Sequence, residues 1–248
     1  MARRRIQFAA LFAVAVVLLS GCSSMSAQTN PIDPSNGIWD RYFVHPLSWL
    51  LNWFADLLWG QYGLSILVVT IIIRFLVLPL TLKQYRSSKA MQAIQPEMKK
   101  IKEKYKEDPK KQQEETMKLF QKNGVNPLAG CLPLVVQMPI LIALYNAIVR
   151  NGEISQHTFL WMQLGTPDPY YVLPTLAAIT TFLQQKVMAS QTTPQMQNLM
   201  LIFPVLIFVM SMNFASALPL YWVYSNLFTV VQSYLLYGRS NQKGGLSK

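Results

Sequence analysis

The chain has 248 residues, of which 52% are hydrophobic and only 13% charged, and it carries a formal net charge of +11 at pH 7. Several apolar stretches approach the length that a helix needs to cross a bilayer, so the composition indicates an integral membrane protein. The two cysteines, Cys22 and Cys131, lie in very different surroundings, which excludes a disulfide framework and a cysteine-ligated metal site.

The N-terminus has the organisation of a secretory signal. Basic residues (MARRR) precede an apolar run over 6–19 and small residues that end in LLSGC. This ending resembles a bacterial lipoprotein box, which predicts removal of residues 1–21 and acylation of Cys22, so that lipid would hold the mature N-terminus outside the cytoplasm. An uncleaved anchor with a chance cysteine is the alternative. Residues 22–44 then predict an extracytoplasmic tether, because 23–37 are polar and lack periodicity.

Residues 45–60 predict a helix at the membrane interface. Tryptophan prefers this zone, and large apolar residues recur here at spacings of three and four: Trp49, Trp53, Phe54, Leu57 and Leu58. A short packing helix is the alternative.

Five membrane spans are predicted after this helix, over about 62–82, 127–149, 170–189, 198–213 and 218–237. The first occupies the segment 61–82 and the other four occupy 127–237. The expected fold class is therefore an all-α membrane protein with five transmembrane helices.

Loop charges predict the orientation, because Lys and Arg near the ends of spans stay in the cytoplasm. With the N-terminus outside, twelve basic residues between Lys83 and Lys122 lie inside, together with Lys186 and the basic tail 238–248. The outside segments of the mature chain hold only Arg41 and Arg150. The C-terminus is therefore expected in the cytoplasm, in agreement with the secretory start.

The segment 83–126 is the one large soluble element, and it predicts a cytoplasmic helical hairpin. Its first seam has alternating three- and four-residue steps, formed by Met91, Ile94, Met98, Ile101 and Tyr105. Residues 107–111 (EDPKK) break the pattern, Met117 and Phe120 begin a weaker second seam, and Pro96 suggests a bend. The lysines suit anionic lipid headgroups or ribosomal RNA. A merely solvated spacer is the alternative.

Arg74 lies inside the first span, in IIIRFLVLP, and is the most unusual residue of the sequence. A cation at mid-bilayer costs about 2.5–3.5 kcal/mol on insertion scales, yet none of the five predicted spans contains an Asp or Glu to pair with it. This absence predicts a hydrated groove that reaches into the membrane and attracts negative groups from elsewhere. A structural cation bound to helix-end carbonyls is the alternative.

Neutral polar residues are available as partners of Arg74. Thr70 precedes it by one turn on the same face, and others lie on the remaining spans: Gln137, Thr181, Gln184, Gln185 and Asn226. For the glutamines, hydrogen bonding between helices is at least as good an interpretation as substrate contact. Trp222 is by default a residue of the aromatic belt.

Several chemistries are excluded. The two histidines, His45 and His157, lie outside the spans, so an intramembrane nucleophilic or metal centre lacks its parts. There is no P-loop for a nucleotide, and the spans lack both carboxylates and the inverted repeats of ion-coupled transporters. We therefore expect no enzymatic centre, no metal and no cofactor.

Three stretches and the lipoprotein-type start together resemble the YidC family of membrane protein insertases in its Gram-positive, lipid-anchored form. The stretches are YGLSILVVTIIIRFLVLPLTLKQYRSSKAMQAIQPEMKKIKEKYK, NPLAGCLPLVVQMPILIALYNAI and FPVLIFVMSMNFASALPLYWVYSNLFTVVQ. The resemblance covers roughly residues 45–237 and implies five spans around a hydrophilic groove that opens to the cytoplasm and to lipid of the bacterial cell membrane.

The resemblance also assigns residues. The family's groove arginine falls on Arg74, and its supporting polar positions fall on Thr70, on one of Gln184 and Gln185, and on Tyr221 and Trp222. The implied partners are nascent membrane proteins and targeting factors, which first contact the hairpin, the ribosome, which faces the short tail, and the Sec translocon.

The implied function is insertion without nucleotide hydrolysis: Arg74 draws the acidic extracytoplasmic tail of a nascent protein into the groove while its apolar segment enters lipid. A small-solute transporter and a purely structural assembly factor are the other classes. Saturable uptake into liposomes would indicate the first, and tolerance to loss of Arg74 the second.

Overall fold

A computed structural model describes residues 31–35, 37–125, 132–188 and 202–243. Several predictions lie outside the described residues: the signal peptide, the lipidation of Cys22, the thiol of Cys131, the beginning of the second and fourth spans, and the last residues of the basic tail.

The described chain is mostly helical, with 77% of it in helices. A π-helical turn over Asp40–Val44 leads into the helices α1 His45–Leu57, α2 Tyr62–Leu76, α3 Leu78–Ala93, α4 Gln95–Lys104, α5 Pro109–Lys122, α6 Leu132–Val149, α7 Gly152–Gln156, α8 Val172–Met188, α9 Ile202–Ser211 and α10 Ala217–Lys243. A hairpin of two antiparallel strands, β1 Thr158–Phe159 and β2 Met162–Gln163, interrupts the helices. The prediction of an all-α chain missed these strands, which are too short for a period of two to be recognised.

Helix α1 begins at His45, directly after the π-helical turn over Asp40–Val44. Pro46 suits the first turn of α1, where its missing N–H costs nothing. Leu51 and Ala55 are buried, whereas Trp49 and Trp53 are exposed on the opposite face. The helix is amphipathic, as the spacing predicts.

Helices α2 and α3 are bent by 56° relative to each other. Pro79 explains the break, because it has no N–H to donate to the carbonyl of Phe75 one turn earlier. Among the described residues no single helix is both long and apolar enough to cross a membrane. The bent α2–α3 pair, taken together, has the length and composition that a span needs. The helices that coincide with the five predicted spans are α2–α3, α6, α8, α9 and α10.

The main hydrophobic core lies where α1, α2, α6 and α10 meet. Leu51 of α1, Ile66 of α2, Leu144 of α6 and Tyr221 of α10 are all almost completely buried in it. Helix α10 also packs along α8, and α9 packs against α8. The hairpin and its loop close one end of this core through Phe159, Met162 and Leu164.

The pair α4–α5 has a separate small core. Its buried residues are Ile94, Met98, Leu119, Phe120 and Val125, with Met91 and Ile101 against them. Four of the five residues of the first predicted seam therefore pack together. The fifth, Tyr105, instead has the ammonium groups of Lys104 and Lys111 at 5.3 and 5.5 Å from the centre of its ring. In the second predicted seam, Phe120 is buried but Met117 is exposed.

The ends of these helices follow from local sequence. Helix α3 stops at Ala93 and α4 restarts with Pro96 in its first turn, so the predicted bend is a break. Asp108 caps α5, since its Oδ1 accepts a hydrogen bond from the Lys111 amide at 3.1 Å. The break and the cap set where the two helices of the pair begin.

Candidate functional site

Arg74 lies in the last turn of α2, directly before the bend. Its Nη2 donates to the Oγ of Ser225 on α10 and, at 3.4 Å, to the Ser225 carbonyl. The C-terminal end of a helix carries partial negative charge, which favours a cation there. The hydrogen bonds of the guanidinium therefore go to neutral oxygens of α10.

No carboxylate compensates Arg74 within the described part of the chain. The ion pairs there join Lys118 to Glu114 and Glu115 and Arg150 to Asp40. The sequence places no Asp or Glu in α2, α3, α6, α8, α9 or α10. The positive charge of Arg74 is consequently uncompensated by an acidic side chain among these helices.

Helix α10 presents a polar stripe toward Arg74. Tyr221, Ser225 and Thr229 follow one another at four-residue spacing, and the Thr229 hydroxyl donates to the Ser225 carbonyl at 2.8 Å. Tyr221 is buried, and its hydroxyl accepts a hydrogen bond from Nε2 of Gln137 on α6 at 2.5 Å. Three helices thus contribute polar groups to one place: α2, α6 and α10.

A second polar contact joins α10 to α8. The Asn226 amide donates to the hydroxyls of Thr181 and Thr180 at 2.8 and 3.2 Å. Asn226 and Thr180 are buried, so this contact fixes the rotation of α10 beside Ser225.

The other predicted site residues form no hydrogen bond to Arg74 in the described part of the chain. The Thr70 hydroxyl is buried and donates to the Ile66 carbonyl of its own helix at 2.6 Å. Trp222 is half-buried and packs against the main core. Gln184 and Gln185 are half-buried on α8, and the Oε1 of Gln185 is a buried acceptor without a partner among the described residues.

Ser225 is the residue that the sequence prediction missed. A serine in a membrane helix has many roles, and the sequence alone does not reveal which helix it faces. The available signal was its spacing, because Ser225 lies one turn after Tyr221 on the same side of α10.

A buried ion pair lies away from Arg74, between the turn before α1 and the end of α6. The Arg150 guanidinium donates to both carboxylate oxygens of Asp40, at 2.8 and 2.5 Å, and to the Pro31 carbonyl at 3.2 Å. The hydrogen bonds from Arg150 hold the pKa of Asp40 below its usual range, and the carboxylate raises the pKa of Arg150. Asn151, the next residue, donates to Ser48 and Asn52 of α1.

Comparison with known proteins identifies the family. The model of the family described as "60Kd inner membrane protein" matches residues 53–243. A relative from Bacillus anthracis, "Membrane protein insertase YidC 2", is 50% identical over 99% of this chain and 100% of its own length. The chain belongs to the YidC family of membrane protein insertases.

Further YidC relatives agree with this assignment. "Membrane protein insertase MisCA" from Bacillus subtilis is 51% identical over 97% of this chain and 94% of its own length. A crystal structure described as an active YidC insertase with its first transmembrane domain resolved has a TM-score of 0.65 at 27% identity, covering 80% of this chain. The chain spans 47% of that crystallised protein. The family resemblance is confirmed, and with it a place in the bacterial cell membrane.

Proposed function

We propose that this chain is a membrane protein insertase that draws the acidic extracytoplasmic tails of nascent membrane proteins toward Arg74 and releases their apolar segments into lipid. The names of its relatives support the insertase role. The observation that carries the mechanism is a half-buried arginine held by neutral oxygens, without an acidic partner among the described residues.

The electrostatics fit transient attraction. Two unit charges at 4 Å interact by about 4 kcal/mol where the effective dielectric constant is near 20. An interaction of this size draws an acidic tail toward Arg74 but still permits its release. A resident carboxylate would remove the attraction, so the neutrality of Ser225 is part of the proposed mechanism.

The drive comes from the apolar segment of the substrate. Its transfer into lipid stabilises it by about 25 cal/mol per Å² of apolar surface, and no nucleotide is required. Large apolar side chains are exposed along α8, α9 and α10, among them Ile179, Val205 and Val231. These faces suit a path along which a substrate helix slides into lipid.

The remaining features of the proposal concern topology and partners. Five spans surround a groove that opens to the cytoplasm, with Arg74, Thr70, one of Gln184 and Gln185, Tyr221 and Trp222 along it. Lipid on Cys22 holds the N-terminus outside. The cationic α4–α5 pair and the tail 238–248 contact the ribosome, targeting factors or anionic lipid, and the Sec translocon is a further partner.

The charge of Arg74 is tested by two substitutions. Arg74→Ala should abolish insertion of a single-span substrate with an acidic tail, whereas Arg74→Lys should preserve most of it because the charge remains. Protease protection of the tail in proteoliposomes measures insertion, and the same substrate with a neutral tail is the control. Equal losses for both variants would contradict the charge mechanism.

A crosslinker at position 222, in the proposed groove, leaves Arg74 in place and separates the three functional classes. An insertase should yield adducts with the tail of a stalled nascent chain. A small-solute transporter would instead show saturable uptake without adducts, and a structural assembly factor would tolerate the probe with neither result.

A further inference from the structure

The three non-glycine residues with left-handed backbone among those described share an unusual environment. Trp59, Leu160 and Tyr171 have φ angles of 55°, 57° and 55°. Bulky side chains disfavour this conformation, which glycine adopts freely. All three side chains are nevertheless large, apolar and outward-facing, with 87%, 68% and 50% of their surface exposed.

All three lie at the same end of the helical core. Trp59 precedes α2 and Tyr171 precedes α8. Leu160 is at the tip of the β1–β2 hairpin, whose following loop is tied to the start of α10: Ser216 N–H donates to the Thr166 carbonyl at 2.7 Å and Ala217 N–H to the Leu164 carbonyl at 3.1 Å. The three turns with strained backbone therefore lie at the same end of the core as the beginnings of α2, α8 and α10.

The hairpin separates polar from apolar surface. Phe159 and Met162 face the core and are buried, whereas Thr158 and Gln163 face outward. Leu160 and Trp161 form the exposed apolar tip. The indole N–H of Trp161 donates to Asp168 at 3.0 Å, so the rest of the ring is free of polar requirements.

The hairpin and the chain that follows it carry little charge, and the exposed acidic residues at this end, Asp56 and Glu153, lie on α1 and α7. Between Glu153 and Lys186 the sequence has Asp168 as its one acidic or basic residue apart from His157. Its buried carboxylate is occupied by Trp161 and by the amides of Tyr170 and Leu173, at 3.1 and 2.7 Å for the amides. An uncharged hairpin tip with exposed Trp and Leu, followed by the exposed Tyr170 and Tyr171, is typical of surface that lies between lipid headgroups and acyl chains.

We propose that Trp59, Leu160 and Tyr171, with Trp161 and Tyr170 beside them, are lipid anchors that fix the depth of this end of the core in the bilayer interface. An apolar side chain that stays exposed to water contributes no hydrophobic stabilisation, whereas the interfacial layer of the membrane would bury it. This assignment is independent of Arg74 and of the insertion mechanism.

Fluorescence quenching tests the proposal on the full chain. A fluorescent amino acid is introduced by codon suppression at position 160, at position 171 as a second anchor, and at position 163 as the control on the polar face of the same hairpin. The proteins are reconstituted in phosphatidylethanolamine–phosphatidylglycerol vesicles. Quenchers are iodide on both sides of the membrane and lipids with a nitroxide near the headgroup. Unchanged thermal unfolding in detergent establishes that each labelled protein is folded.

The expected result is a contrast between the two faces of the hairpin. Iodide should quench positions 160 and 171 about threefold less than position 163, and the nitroxide lipid should quench them more strongly. Equal iodide quenching at 160 and 163 would overturn the proposal. Protection of position 160 from both quenchers would also overturn it, because protein and not lipid would then cover the tip.

Discussion

Ser225 keeps the environment of Arg74 neutral. Both of its oxygens accept hydrogen bonds from the guanidinium, and neither brings negative charge. Position 225 therefore suits a comparison of two substitutions that have similar size but differ in charge.

Ser225→Asp should inactivate the site by giving Arg74 a resident anion. A carboxylate there would pair with the guanidinium, and insertion of an acidic-tailed substrate should fall by roughly tenfold or more. Ser225→Asn, of similar size but neutral, should retain most of the activity. Protease protection in proteoliposomes measures both. Similar losses for Asp and Asn would show that side-chain size, and not charge, matters at this position.

The α4–α5 pair has its own core, so we expect that it can unfold locally while the other helices stay folded. Phe120→Ala removes a buried ring from that core and should destabilise the pair by about 3 kcal/mol. Hydrogen exchange should accelerate over α4 and α5 and stay unchanged in α8 and α10. Met117→Ala, in the same helix but exposed, is the matched control. Faster exchange throughout the chain would contradict the independence of the pair.

The ion pair between Asp40 and Arg150 ties the turn before α1 to the end of α6. Asp40→Asn leaves a buried guanidinium without its anion and should cost about 3 kcal/mol, observed as a lower thermal midpoint in detergent. Asp56→Asn is the control, because Asp56 is an exposed carboxylate on α1.

This pair also predicts a dependence on pH. The pKa of Asp40 is lowered in the folded chain, so its stabilisation is complete above the pKa of the unfolded chain and is lost as the pH falls through the folded value. The thermal midpoint should therefore drop below about pH 4. The drop should be smaller in Asp40→Asn. Identical acid profiles for the two proteins would assign the loss to other carboxylates.

At the scale of the whole molecule, the loop between α6 and α8 joins the ends of three core helices. A Cβ at Gly63 of α2 would collide with the ring of Phe159. Gly63→Ala should thus force the hairpin off α2 and cost about 1–3 kcal/mol, measured as a lower thermal midpoint. Gly152→Ala meets nothing within 4 Å and should leave the midpoint unchanged. Equal midpoints for the two variants would mean that the hairpin yields easily.

Patterns of local sequence predicted much of this architecture. Hydropathy located the segments where the core helices lie, and the three-four spacing of Ile94 and Met98 predicted that they pack together. The absence of Asp and Glu from the predicted spans around Arg74 was also predictable, because it can be read directly from the amino-acid sequence.

Contacts distant in sequence were not predictable. Asp40 and Arg150 are 110 positions apart, and Ser225 meets Arg74 only because Asn226 and Tyr221 set the rotation of α10. These pairings depend on how whole helices pack, which one sequence does not reveal. The bend at Pro79 was not predicted either, because prolines are tolerated within membrane helices and need not bend them sharply.

The bend at Val77 is a point about which α3 can rotate relative to α2. Helix α3 has 16 residues and extends about 24 Å from this pivot. A rotation of about 10° there would sweep its far end, and the cationic helix pair attached to it, through about 4 Å. Arg74 lies in α2, three residues before Val77, and would scarcely shift relative to Ser225. Movement of the α4–α5 pair is thereby compatible with a guanidinium that stays in place.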